Sequence, residues 1–161
     1  MNNLVRVRMA DLKIAKHPKV LTTLGLGSCV GIALFDSSSR IGGLAHIMLP
    51  NSNQVKNNSN KAKFADTAII QMVEMMMDMG AKKRYMVAKL AGGAHMFSFS
   101  QASDIVRVGQ RNVIASKEIL EGLSIPIVAE DTGGNYGRTI ELRTEDGILV
   151  VKTIGHGVRY I

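Results

Sequence analysis

Two apolar runs, Val30 to Phe35 and Leu44 to Leu49, stand either side of the polar stretch Asp36-Ser37-Ser38-Ser39-Arg40. Apolar runs this short, bounded by turn residues, predict neighbouring strands joined by a polar turn. The same punctuation recurs along the chain. Leu4 to Met9 alternates apolar and polar residues, and Asp11 to Ala15 predicts a further strand that His17-Pro18 breaks. Val20 to Leu24, Tyr85 to Leu90 and Ile125 to Ala129 read as strands. Thr139 to Arg143 and Ile148 to Thr153 flank Glu145-Asp146-Gly147, a strong hairpin signal.

Helical spacing occurs in two places. Between Lys61 and Met79, Ala65, Ala68, Ile69, Met72, Val73, Met76 and Met79 make one apolar face, with Asn60 as N-cap and Gly80 as stop. Met75-Met76-Met77 then reads as core filler, in preference to an adaptable binding face. Asn112 to Leu120 predicts a second helix capped by Asn112 and ended by Gly122. Asn51 to Asn60 is polar and predicts a mobile loop, and Ser98 to Val108 has no clear period. About nine strands and two helices predict a mixed α/β sandwich with helices packed on sheet.

The 161 residues suit one domain, 1–161, with a real core. Hydrophobic residues at 46% and charged residues at 20% are globular composition. A single cysteine excludes an internal disulfide and predicts a reducing, cytoplasmic setting. No apolar stretch approaches the roughly 20 residues of a membrane span, so no membrane insertion is expected, and the N-terminus lacks a signal-peptide core. A net charge of +7 predicts an acidic partner. Nucleic acid is not expected, because the basic residues are scattered and only seven Phe and Tyr accompany them.

Several motifs fail on inspection. Gly25-Leu26-Gly27-Ser28-Cys29-Val30-Gly31 lacks the third glycine of a dinucleotide fingerprint, and no amphipathic helix comes after it. Asp131-Thr132-Gly133 would need a second aspartate from another chain to work as an aspartic protease. His17, His46, His95 and His156 have no metal-ligand spacing, so neither metal nor cofactor is expected.

Cys29 and His46 remain. A lone cysteine commonly serves as a small hydrophobe. The alternative is a nucleophile, and three features favour it. Cys29 comes directly after a glycine turn, Gly25-Leu26-Gly27-Ser28, whose backbone N–H groups can form an oxyanion hole. His46 interrupts an apolar strand, and Thr22 and Thr23 lie on the approach to the turn, in reach to supply an orienting hydroxyl. A free thiol with a pKa of about 8.5 is only a few per cent thiolate at neutral pH, so it needs a base such as imidazole.

The motifs TLGLGSCV (Thr23 to Val30), AHIMLP (Ala45 to Pro50), KFADTAI (Lys63 to Ile69), AKLAGGAHMF (Ala88 to Phe97) and AEDTGGNYGR (Ala129 to Arg138) together resemble the CheD family, the chemoreceptor glutamine deamidases of bacterial chemotaxis. The resemblance implies an α-β-β-α sandwich like the cysteine hydrolases among deamidating toxins. It also implies Cys29 as nucleophile, His46 as base and Thr23, not Thr22, as third member, with Gly27 and Ser28 lending oxyanion donors. Its substrates would be glutamines of methyl-accepting receptors, with glutamate methyl esters a side reaction. A CheC-type phosphatase is an implied partner, and a monomer is expected. Gly92, Gly93, Asp131 and Asn135 are candidate groove residues, with a purely structural role for their turns left open. Where the family commonly reads G-A-R-N, this chain reads Gly109-Gln110-Arg111-Asn112, a departure that bears on substrate fit. The alternative function is a non-catalytic module that docks on the phosphatase or on a receptor helix.

Overall fold

The structure, a computed structural model, describes residues 3–96 and 107–161. The chain runs β1 (Leu4–Arg6), β2 (Asp11–Lys16), β3 (Val20–Leu26), β4 (Val30–Asp36), β5 (Ile41–Ile47), α1 (Ala65–Met79), β6 (Met86–Gly92), α2 (Val108–Gly122), β7 (Ile127–Thr132), β8 (Arg138–Arg143), β9 (Leu149–Thr153) and β10 (Gly157–Tyr160). The strands form two five-stranded sheets, ordered β2-β5-β4-β6-β7 and β1-β3-β8-β9-β10. Both are mixed, because β6–β7 and β1–β3 pair parallel while the remaining neighbours are antiparallel.

Every residue of β4 and β5 is buried, because these strands lie between two different cores. Side chains alternate across a strand, so each strand feeds both. Val30, Ile32 and Leu34 join Ala45 and Ile47 against Ala68, Ile69, Met72 and Met76 of α1. On the opposite face Cys29, Ala33 and Leu44 meet Leu21, Leu26, Ile140, Leu142 and Val151 from the second sheet. Gly31, between Cys29 and Ala33, allows the sheets to close: a Cβ there would stand 2.5 Å from Ile140 Cδ1.

Both helices pack on the first sheet, and α1 also packs on α2. Among the described residues the layers therefore run α-β-β, and the α-β-β-α order expected from the resemblance is not met. The outer face of the second sheet carries side chains such as Leu24, Val158 and Tyr160 that are exposed in place of a covering helix.

Several expected boundaries shift. Gly80 ends α1 in the left-handed conformation at φ 120°, as its sequence position predicts. Asn60 does cap a helix, but it is the short 3-10 turn Lys61–Lys63 that precedes α1. Met76 is wholly buried and Met77 half exposed, which matches core filling along one face. The polar loop after Pro50 is tied down at Ser52, whose N–H and hydroxyl donate to Asp66 at 3.0 and 2.8 Å. α2 begins at Val108, so Asn112 is an interior residue and not the cap, and Gly122 is the last helical residue. Of the stretch without a clear period, residues 98–106 lie outside the described residues and Val108 opens α2. β10 is additional: its pattern is polar, and only its pairing with β9 makes it a strand.

Candidate active site

The site starts from a defect in β3. Thr23 pairs with Ile140 but Leu26 pairs with Arg138, so β3 carries one extra residue between them. Gly25 lies there with φ 70°, a left-handed value that glycine adopts at no steric cost. A bulge bends a strand and re-aims the residues beyond it. Here it delivers the chain to the turn of Gly27, Ser28 and Cys29.

That turn is held by its carbonyls. Gly27 O accepts from Ala94 N and Cys29 O from Gly93 N, both at 2.8 Å. Ser28 O accepts from Asn112 Nδ2 at 3.0 Å. Neither the Ser28 nor the Cys29 N–H donates to a backbone carbonyl among the described residues. Contact with the end of β6 is closest at Gly92, where a Cβ would stand 2.3 Å from Cys29 O. No other residue type fits.

His46 is buried on β5, directly opposite Gly31 of β4. Cys29 is two residues before Gly31, and alternation directs both toward the inter-sheet core that His46 also faces. Thr23 reaches His46 from the second sheet, with Oγ1 and Nδ1 2.7 Å apart. Thr22 points the other way and donates to Ile140 O at 3.0 Å. Thr23, not Thr22, is therefore the hydroxyl beside the imidazole.

A third group decides the tautomer of His46. Thr23 Oγ1 also lies 2.7 Å from Val7 O. A carbonyl only accepts, so the single hydroxyl hydrogen of Thr23 goes to Val7. The hydroxyl oxygen must then accept from His46, which puts the ring hydrogen on Nδ1. Nε2 keeps its lone pair, and it is buried without a hydrogen-bond partner among the described residues. Burial also holds the imidazole pKa down at about 4. The Cys29 thiol is raised by the same desolvation, and a hydrogen bond with its own backbone pulls part of the way back. Both side chains are therefore uncharged at neutral pH.

The remaining candidates divide. Gly93 lines a cavity of about 670 Å³, together with Gly133, Gly134, His95, Gln110 and Ile114, and Gly92 is not in its lining. Asn135 is exposed on the turn after β7. Asp131 faces inward: it is buried, accepts from Arg138 Nε at 3.0 Å and pairs with Arg159 Nη1 at 2.9 Å. It is a buried counter-ion and is not among the described residues that line the cavity.

Sequence reasoning missed two contributors. Val7 acts through its carbonyl, which leaves no mark in the sequence. Asn112 did leave one, as a polar residue on the stripe Gly109, Asn112, Ser116 and Leu120 that α2 buries.

A family profile described as CheD chemotactic sensory transduction matches residues 48–153, more than half of the chain. The chain belongs to the CheD family. The profile match begins beyond Cys29 and His46, but whole-length CheD relatives span them. A protein of Caldanaerobacter subterraneus subsp. tengcongensis is 61% identical over 160 residues, 99% of each chain. One of Clostridium novyi is 54% identical over 157 residues, 98% of this chain and 97% of its own. Both are described as probable chemoreceptor glutamine deamidase CheD. Among solved structures, Bacillus licheniformis hypothetical protein YfiH is similar at 15% identity and a TM-score of 0.49, over 76% of this chain and 50% of that one, too loosely to bear on the fold. No helix among the described residues is long and apolar enough to cross a membrane.

Proposed function

We propose that this CheD-family chain hydrolyses the side-chain amide of specific glutamines on methyl-accepting chemoreceptors, with Cys29 as nucleophile, His46 as base and Thr23 as the residue that orients it. The observation that carries the reading is the relay Val7 O, Thr23 Oγ1, His46 Nδ1, with both gaps at 2.7 Å. It leaves the Nε2 lone pair in the buried layer that Cys29 enters. A structural histidine would spend both nitrogens on partners. The substrate class is supported by the names of the whole-length relatives.

In the reaction, His46 Nε2 takes the Cys29 proton as the sulfur attacks the glutamine carboxamide carbon. The tetrahedral oxyanion is received by backbone N–H groups of the Gly27-Ser28-Cys29 turn. The imidazolium returns its proton to the departing nitrogen, and ammonia leaves a thioester on Cys29. His46 then deprotonates a water, which cleaves the thioester to glutamate and restores the thiol. A glutamate methyl ester is open to the same sequence, with methanol leaving, so the same groups would support esterase activity.

The cavity beside Gly93 serves as the docking groove for the receptor helix. Its Ile114 wall meets the apolar side of that helix, and the net charge of +7 favours an acidic one. The same reading takes residues 1–161 as one deamidase domain related to the cysteine-hydrolase sandwich of deamidating toxins. It places the protein in the cytoplasm as a monomer, with a CheC-type phosphatase as partner.

Mass spectrometry of receptor peptides tests it. Wild type converts particular glutamines to glutamate with release of ammonia, and Cys29→Ala, folded as judged by circular dichroism, converts none. Deamidation retained in Cys29→Ala would overturn the mechanism, and full complementation of a deletion strain by that variant would favour a docking module instead.

A further inference from the structure

Asn112 is wholly buried one turn inside the start of α2. Its side-chain amide donates twice, to Ser28 O and to Met48 O, each at 3.0 Å. Both partners are carbonyls, so the orientation of the amide is decided: only its NH₂ can serve them. Oδ1 has no partner among the described residues, so these two donations alone set how the group is turned.

The two carbonyls belong to the two functional segments. Ser28 immediately precedes Cys29, and Met48 lies two residues after His46. The β4–β5 ladder that joins these segments has its terminal pair at Val30 and Ile47. Beyond that pair the chains are no longer held to each other by backbone hydrogen bonds, and Asn112 bridges them. Two hydrogens on one planar nitrogen fix the spacing of the two carbonyls. Cys29 lies between this bridge and the last ladder pair.

We infer that Asn112 is a positioning residue of the site, clamping the Cys29 turn to the end of the His46 strand and thereby setting the approach of thiol to imidazole. The inference rests on the reading of Cys29 and His46 as the reacting pair. It also gives α2 two duties, since Gln110 and Ile114 of the same helix line the adjoining cavity.

The test uses the fact that Cys29 is the only cysteine, so alkylation by iodoacetamide reports this thiol alone. Asn112→Ala and Asn112→Asp remove the double donation. Each folded variant is expected to lose about 100-fold in kcat on receptor, the scale of a small misplacement of reacting groups, with KM within about twofold. Its profile of alkylation rate against pH should move to that of His46→Gln, and Asn112→Ala added to His46→Gln should slow alkylation no further. A folded Asn112→Ala with the wild-type alkylation profile, or effects that add fully in the double variant, overturns the inference. A second measurement needs no variant. The Asn112 side-chain hydrogens of the wild type should exchange with solvent slowly, and faster once Cys29 is carboxamidomethylated. Exchange as fast as at exposed Asn135, or unaffected by the modification, overturns the inference even if neither variant folds. Alkylation and exchange require no substrate, so failure to deamidate receptors would count against the proposed reaction and leave this result intact.

Discussion

His46 shows how one buried side chain is given a chemical direction. Its ring hydrogen is assigned by the Val7 carbonyl through the single hydroxyl of Thr23. Thr23→Val keeps the shape and removes the relay. We expect a fall of about 100-fold in kcat with the fold retained, and ¹⁵N chemical shifts of His46 that no longer report a single Nδ1–H tautomer. Burial sets the pH dependence. With its pKa near 4, the imidazole is an available base well below the pH at which an exposed histidine protonates. The acid limb of kcat/KM should therefore fall near pH 4, and an inflection near 6.5 would contradict the assignment. Stability has the same sign. The unfolded state takes up the proton first, so the contribution of neutral His46 is complete above pH 6.5 and is lost as pH falls toward 4. The loss across that window is about 3 kcal/mol. Urea midpoints of wild type and His46→Gln, compared at pH 7 and 4.5, measure it.

At the scale of elements, the site depends on two irregular strand ends. β3 bulges at Gly25, and β6 ends in Gly92 packed on the Cys29 carbonyl. Gly92→Ala would put a Cβ 2.3 Å from that oxygen, at a φ of 107° that side chains rarely adopt. We expect a stability loss of about 1–3 kcal/mol from overpacking. Activity should fall further than the unfolded fraction explains, because the turn that carries Cys29 must shift. Ammonia release per folded molecule, set against a thermal melt, separates the two effects. The flanking elements were largely legible, since short apolar runs and the 3.6-residue spacing of α1 are local properties. α2 was legible only from Asn112 onward, without its first turn. Asn112 resembles a cap by residue type, and its real partners, Ser28 and Met48, are far from it in sequence.

Across the whole molecule, the two sheets are joined by charge as well as by their shared core. Asp131 on β7 meets Arg138 on β8 and Arg159 on β10. Arg138 is wholly buried, and its Nη1 also donates to Gly133 O at 2.9 Å, beside the cavity. Asp131→Ala should cost about 3–5 kcal/mol, because it leaves the Arg138 guanidinium buried without its anion. Arg159→Ala, which removes a largely exposed cation, should cost about 1 kcal/mol or less. Chemical denaturation of the two variants tests the contrast.

The sequence by itself determined the strand-rich α/β class, the motif string of the family, and Cys29 and His46 as the pair to explain. Each is written in local pattern or residue identity. Tertiary structure alone decided that Thr23 faces His46 while Thr22 faces away, that Asp131 is an internal counter-ion, and that Asn112 bridges the Ser28 and Met48 carbonyls. It also decided that both helices share one side of the sandwich. These outcomes depend on which distant backbone group arrives beside a side chain, and the packing of the two sheets and α2 sets that. Cys29 and His46 could be named from their neighbours in sequence, but the hydrogen-bond setting of the imidazole comes from Thr23 on the second sheet and from the Val7 carbonyl.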